Sequence, residues 1–528
     1  MMETQVEPAP RDTATRLDAL RARLVPPMPL STFWGWAGPV IVTVFGTYLR
    51  FVRLGSPRAI IFDETYYVPD ALGILRFGVE HNYVSNRNGM LVRGDPRVFT
   101  NGGEFVVHPP FGKVLIAAGE WLFGLSPFGW RFAAAVVGSL SILLLARIAR
   151  RMTRSTLLGC VAGLLLALDG LEFVMSRTAL LDIFVMFWAL AAFGCLVVDR
   201  DVYRARLAGA AAAATEPAAA GEPVAAGAPH AGIRWWRIGA GVCLGLACGS
   251  KWNGLWFVPA FAALSFAWDV GARRTAGLGK VTGPGLIRYL GGLAGSFVAL
   301  PLVAYLATWT GWFATSSGYD RNWAQLHGVD IPVISPLISL FQYNKAMLAF
   351  NTGLQKHHPY QSQPWTWLTI GRPVSYYWSC PTSGHGVCAK GDAAEVLAIG
   401  TPVLWWGAVL ALLVCLGWWL TRRDWRAGAV LVGVVAGWLP WFAYAKRTQF
   451  YFYSVAFVPF LVLAVVLCLG LVMGSATASP ARRAVGASLA GAFALAVLLN
   501  FAYVYPLLTA QPIPYSSWLA HMWYHGWI

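Results

Sequence analysis

Residues 155–198 read STLLGCVAGLLLALDGLEFVMSRTALLDIFVMFWALAAFGCLVV. Two apolar runs, 155–173 and 179–198, each approach the roughly 20 residues that carry a helix across a bilayer. The turn joining them holds four charges, Asp169, Glu172, Arg177 and Asp182. A charge at bilayer depth costs about 2.5–3.5 kcal/mol on insertion scales, so such residues face a partner or a polar cavity. This stretch therefore predicts both the fold, a bundle of membrane helices, and the place of its chemistry, one end of that bundle.

The same pattern recurs in both directions along the chain. Apolar runs near 34–54, 128–149, 155–173, 179–198, 235–250, 252–269, 289–309, 397–420, 427–445, 450–473 and 485–507 predict an all-α protein of about eleven transmembrane helices. The 528 residues are 57% hydrophobic and only 12% charged, about half the charge of an ordinary soluble domain. A water-soluble globule is excluded. Eleven spans place the two termini on opposite sides of the membrane.

With a cytoplasmic N-terminus, every inside connection is basic. The clusters are Arg147, Arg150, Arg151 and Arg154; Arg200, Arg204, Arg206, Arg234 and Arg237; Arg273, Arg274, Lys280 and Arg288; Arg422, Arg423 and Arg426; Arg482 and Arg483. Five of five inside loops obey the positive-inside bias. That accounts for most of the +16 net charge, and no nucleic-acid partner is needed.

The implied organisation is a cytoplasmic segment 1–33, a first membrane module 34–198 with an outer loop 55–127, and a cytoplasmic linker 199–234. Central helices 235–309, a second outer loop 310–396, a four-helix region 397–507 and an outer tail 508–528 follow. Residues 208–231 are Ala-rich with three prolines and read as a flexible connector. Residues 111–125 are apolar but too short to cross, which predicts a helix at the interface. The first 30 residues lack the apolar core and cleavage site of a signal peptide, so the first span is expected to stay attached.

Charges that topology does not require gather on the outer side. Besides the four in the 169–182 turn, Lys251 and the pair Lys446-Arg447 occupy the other short outer turns. Mixed signs suit a site that binds an anion with its cations. The acidic dipeptide Asp63-Glu64 lies about nine residues beyond the first span, near headgroup level, where it can meet a lipid-borne substrate or merely cap a helix. His108-Pro109-Pro110 closes the same loop.

These residues resemble the protein O-mannosyltransferases, membrane glycosyltransferases of the GT-C class. The resemblance rests on Asp63-Glu64, on His108-Pro109-Pro110 with Gly112-Lys113, and on Arg131 with Ser139. Ser176-Arg177 with Leu180-Leu181-Asp182, Lys251 with Gly254, and Arg447 with Tyr453 and Pro459 extend it. The second outer loop is too short for a β-trefoil insert, so the bacterial, actinobacterial-type form is implied.

That resemblance implies inverting transfer of mannose from a polyprenyl-phosphate-mannose lipid to Ser or Thr hydroxyls of unfolded or translocating proteins, at the extracytoplasmic face of the plasma membrane. Asp63 is expected as general base, and Glu64 as acceptor positioner or arginine partner, with exchange of the two roles left open. Arg447, Arg131, Lys251 and Arg177 are the expected phosphate ligands, the arginines ranking first for their bidentate geometry. His108, Asp182 and Glu172 are expected to position these groups or the acceptor. Arg131 has a second reading, an ion pair with Asp63 or Glu64.

No cofactor and no metal are expected, the lipid being a co-substrate. A secretion translocon is a candidate partner. Cys380 and Cys388 are expected to form a disulfide, with a metal site including His385 as the other reading. Trp365, Trp367, Tyr376, Tyr377 and Trp378 either line an acceptor groove or rest on headgroups. The rival functions are transfer from the same kind of donor to a lipid or glycan, and membrane transport.

Overall fold

The computed structural model describes residues 11–29, 31–213, 232–278, 280–380, 391–475 and 477–528. Among these, eight helices are long and apolar enough to cross a membrane: Pro127–Thr153, Asp182–Ala210, Trp252–Thr275, Gly283–Thr308, Pro402–Arg422, Trp425–Tyr444, Tyr451–Met473 and Pro480–Leu508. The helices Thr32–Phe51, Thr156–Ala167 and Trp235–Ser250 fall on the three remaining apolar runs. The chain is a multi-pass helical membrane protein.

Charge is layered along these helices. Asp182 and Arg200 lie 18 residues apart on one helix, about 27 Å at 1.5 Å per residue, close to the thickness of the hydrocarbon core. At the Arg200 end, Arg151, Arg154 and Arg200 all bind Asp201, at 3.2, 2.8 and 3.2 Å. Arg234 joins Asp199 and Asp269 at the same level. The other end carries Asp182 and Lys251, and there the long loops 55–127 and 310–396 assemble.

The structure departs from the apolar pattern in three places. The run 155–173 is two helices, Thr156–Ala167 and Gly170–Met175, because Asp169 caps the second by accepting from the Glu172 amide at 2.8 Å. The span expected from 397 begins at Pro402, since Asp392–Ala398 is a buried strand. The strand's apolar end, Val396-Leu397-Ala398, runs on toward the helix without a charged residue to mark the boundary, so hydropathy alone starts the span too early. That strand pairs antiparallel with Val374–Ser379 and with Ile513–Pro514, so the all-α reading omits a small sheet. The tail is stitched on: Trp518 Nε1 donates to Glu395 at 2.7 Å and Trp527 Nε1 to the Ile370 carbonyl at 2.7 Å.

The loop 55–127 includes helix Glu64–Phe77, a two-stranded ribbon of His81–Tyr83 and Phe99–Gly103, and helix Phe111–Phe123. The last has 13 residues, too few to cross, as expected of the 111–125 stretch. The connector expected over 208–231 lies outside the described residues beyond Ala213, where the helix Asp182–Ala213 ends.

Candidate active site

Asp63 stands at the start of helix Glu64–Phe77 but makes no capping hydrogen bond, so its carboxylate is not spent on the helix. The residue before it, Phe62, has φ +45°, a left-handed conformation rare for a bulky side chain and held only where packing over-determines it. That packing is aromatic. The Phe62 ring stacks on Tyr376 at 4.6 Å and meets Phe452 and Phe450 edge-on at 5.4 and 6.0 Å.

Half-buried, Asp63 has its pKa pushed up to about 6 by loss of solvation, opposed by the nearby Lys251 and assisted by Asp182. Lys251 Nζ donates to both Asp182 oxygens, at 3.0 and 2.8 Å, with both side chains nearly inaccessible. It also sits 4.5 Å from the centre of the Tyr453 ring, a cation–π contact. On the same ring, at 5.8 Å, lies Arg447. Its Nε and Nη2 donate to the Asn351 carbonyl and Oδ1 at 2.6 and 3.3 Å. These acceptors are neutral, and among the described residues no ion pair cancels its positive charge.

His108 completes the group. Burial, together with Lys251, Lys113 and Arg447, drives its pKa well below the ordinary imidazole value, leaving a neutral ring 6.2 Å from that of Tyr67. One carboxylate from the first loop, an ion pair between two later helices, and an arginine from a further turn thus converge.

The other expected site residues lie elsewhere. Glu64 is fully buried and saturated: Arg131 Nε and Nη2 donate to it at 2.8 and 3.0 Å, and the amides of Ile61 and Ala179 at 3.0 and 3.1 Å. The remaining Arg131 donors hold the carbonyls of Leu54, Pro57 and Ala59. This pair pins the chain just before Asp63, which matches the ion-pair reading of Arg131 and leaves it no donor for a phosphate. Arg177 donates to the carbonyls of Leu49, Arg50, Val52 and Arg53, capping helix Thr32–Phe51. Glu172 pairs with Arg50 in the core, so of the two expected carboxylate braces only Asp182 holds a cation of the site.

Cys380 is disulfide-bonded; Cys388 and His385 lie outside the described residues. The aromatic set divides: Tyr376 belongs to the Phe62 stack, Trp367 is buried, and Trp365 and Trp378 are exposed. Phe62 and Tyr67 belong to the run around Asp63 that the sequence marks, without a role of their own there, and Phe452 is not marked by the sequence at all beyond lying next to Tyr453.

Two cavities are formed by segments near the group in sequence, and the second shares Arg447 with it. An apolar cleft of about 580 Å³ is lined by residues including Pro110, Phe111, Val114, Val242, Leu246 and Ala304. A polar one of about 450 Å³ lies between residues 355–372 and 445–449 and includes Arg447 in its wall.

Membrane helices that gather an unspent carboxylate and fixed cations at one end of the bundle are an arrangement suited to a membrane-embedded glycosyltransferase of the GT-C class. In fold the chain is similar to the Saccharomyces cerevisiae protein O-mannosyltransferase Pmt1-Pmt2 complex bound to the sugar donor, with TM-score 0.69 at 15% identity over 97% of this chain and 94% of that one. Residues 337–527 match the C-terminal four TMM region of protein-O-mannosyltransferase, and residues 125–211 the dolichyl-phosphate-mannose-protein mannosyltransferase family. The chain is 41% identical over 517 residues to the polyprenol-phosphate-mannose–protein mannosyltransferase of Mycolicibacterium smegmatis, covering 94% of each. To that of Corynebacterium glutamicum it is 32% identical over 527 residues, 96% of each. The chain belongs to the protein O-mannosyltransferase family.

Proposed function

We propose that the protein transfers mannose from polyprenyl-phosphate-mannose to Ser or Thr hydroxyls of exported polypeptides, with inversion, on the extracytoplasmic face of the plasma membrane. The observation that carries this reading is the convergence of an uncapped Asp63 with Lys251, Asp182 and Arg447. In the reaction the acceptor hydroxyl oxygen attacks the anomeric carbon while the bond from that carbon to the phosphate oxygen breaks. Its electron pair leaves with the phosphate, and the hydroxyl proton passes to Asp63. A pKa near 6 leaves Asp63 mostly ionised at neutral pH yet basic enough to take that proton, a balance worth about 10²–10⁴ in rate for a positioned base.

Negative charge grows on the departing phosphate and is met by preorganised cations in a partly dry site. Arg447 takes the leading part because its charge is uncancelled; Lys251, already paired with Asp182, responds second. Neutral His108 serves as a hydrogen-bonding partner. The apolar cleft begins at Pro110, two residues from His108, and includes Leu246, five from Lys251. It suits an isoprenoid chain whose phosphate reaches the cations. Glu64, Arg131 and Arg177 hold the scaffold. A metal has no step in this scheme, so activity is expected to survive a chelator.

Eleven spans, a cytoplasmic N-terminus and outer loops 55–127 and 310–396 form the topology we assign, supported by the basic residues that meet around Asp201. The test is transfer of radiolabelled mannose from the lipid to a peptide rich in Thr, Ser and Pro. Label in peptide is expected; label entering only lipid or glycan would overturn the assignment.

A further inference from the structure

The polar cavity beside Arg447 is unlike the rest of the site in its charge. Its lining includes Arg372, Lys446, Arg447 and His357, with glutamine, serine and threonine side chains, and no carboxylate. Arg372 spends its donors on the carbonyls of Pro359, Gly526 and Ile528, Arg447 on neutral acceptors, and Lys446 is exposed. With Arg372 held by the last residue of the chain and Arg447 assigned to the phosphate, Lys446 is the exposed cation of a wall that has no Asp or Glu side chain among the described residues.

Its amides are also oriented. Gln449, 1% exposed, donates through Nε2 to the carbonyls of Trp441 at 3.0 Å and Tyr444. Gln363 Nε2 donates to the Ala445 carbonyl at 3.1 Å. These bonds fix the two amides as part of the cavity wall, while the Oε1 atom of each is buried behind it without a protein partner; the acceptors an incoming chain meets are the accessible polar side chains of the lining, such as Gln355 and Gln361. An extended polypeptide carries N–H donors at every residue but proline.

The cavity is linked to the segment of the base through aromatic neighbours. The Phe62 ring, adjacent in sequence to Asp63, contacts His358 at 6.4 Å and Phe450 at 6.0 Å. These two are the chain neighbours of the cavity residues His357 and Gln449.

We infer that this cavity is the acceptor cleft, and that it selects polypeptide segments whose side chains flanking the modified Ser or Thr are neutral or acidic, disfavouring those flanked by Lys or Arg. The inference rests on the proposed transfer reaction and adds the substrate preference of that site.

The test uses the full-length protein in lipid nanodiscs with polyprenyl-phosphate-mannose and two Thr- and Pro-containing peptides that differ only in Glu or Lys flanking the acceptor Thr. The wild type is expected to show the lower KM for the Glu-flanked peptide. Lys446→Glu is expected to shift the ratio of the two KM values toward the Lys-flanked peptide by about two- to thirtyfold, the effect of turning one screened attraction into repulsion. Lys446→Gln is expected to fall between, and the donor KM to stay as in the wild type. The difference is expected to shrink in 1 M salt, where the Debye length is about 3 Å. Mannose transfer to both peptides with equal KM, or a shift confined to the donor KM, refutes the cleft assignment while leaving the reaction standing. Absence of transfer to either peptide overturns the reaction, and the cleft with it.

Discussion

Glu64→Gln separates scaffold from chemistry within one dipeptide. Glu64 is inaccessible and receives two hydrogen bonds from an equally buried Arg131, at 2.8 and 3.0 Å. The amide removes the counter-charge and sets an N–H against a guanidinium N–H. Leaving one member of a buried pair unmatched costs about 3–5 kcal/mol. Part of this is expected to return in the double variant with Arg131→Met, because removing both charges is cheaper than stranding one. Thermal unfolding of the purified protein, with activity counted per folded molecule, measures both. The expected result is a lower unfolding temperature with most of the turnover of folded enzyme retained. Wild-type stability together with abolished turnover would show that Glu64, and not Asp63, handles the proton.

Activity is expected to rise with pH through about 6 and level off above it, because Asp63 must be ionised; a pH–rate profile checks this. Since Lys251 holds that pKa down, Lys251→Met is expected to move the rising limb to higher pH, and an unmoved limb would place Lys251 away from the base. A pKa raised in the folded state from 3.8 to about 6 stabilises fully below 3.8, and that contribution is lost as pH rises through about 6. Asp63→Asn is therefore expected to unfold at higher temperature than wild type at pH 8, the advantage shrinking toward pH 4. Arg447→Ala removes a charge-assisted contact of about 1.5–3 kcal/mol and is expected to lower kcat/KM for the lipid donor roughly 10- to 150-fold; an unchanged donor dependence counts against its phosphate role. Arg177→Ala uncaps helix Thr32–Phe51 and is expected to reduce abundance and unfolding temperature without altering donor KM.

Much of this was legible in the residues because lipid imposes simple rules. Apolar length located the helices, and charges that topology did not need located the site's end of the bundle. Sequence could not sort those charges, since burial drives every one of them to find a partner and pattern does not say which. Arg131 and Arg177 look like phosphate ligands until their donors are seen to hold carbonyls of the 49–59 segment. Lys251, ranked below the arginines for its geometry, is the cation whose charge acts on Asp63, held in place by Asp182 from the neighbouring helix. The strand Asp392–Ala398 was hidden for a different reason: its apolar end, Val396-Leu397-Ala398, runs on toward the helix with no charged residue at the boundary. Phe62 carries no signal of its role, as its positive φ is imposed by rings from residues 376, 450 and 452.

The central claim is that Asp63 takes the acceptor proton in a pocket built from distant segments. Single-turnover mannose transfer by Asp63→Asn, measured on protein shown to fold and to bind the lipid donor as the wild type does, tests it most directly. The account predicts a rate lower by about 10²–10⁴ with donor binding retained; turnover within a few-fold of wild type would contradict it.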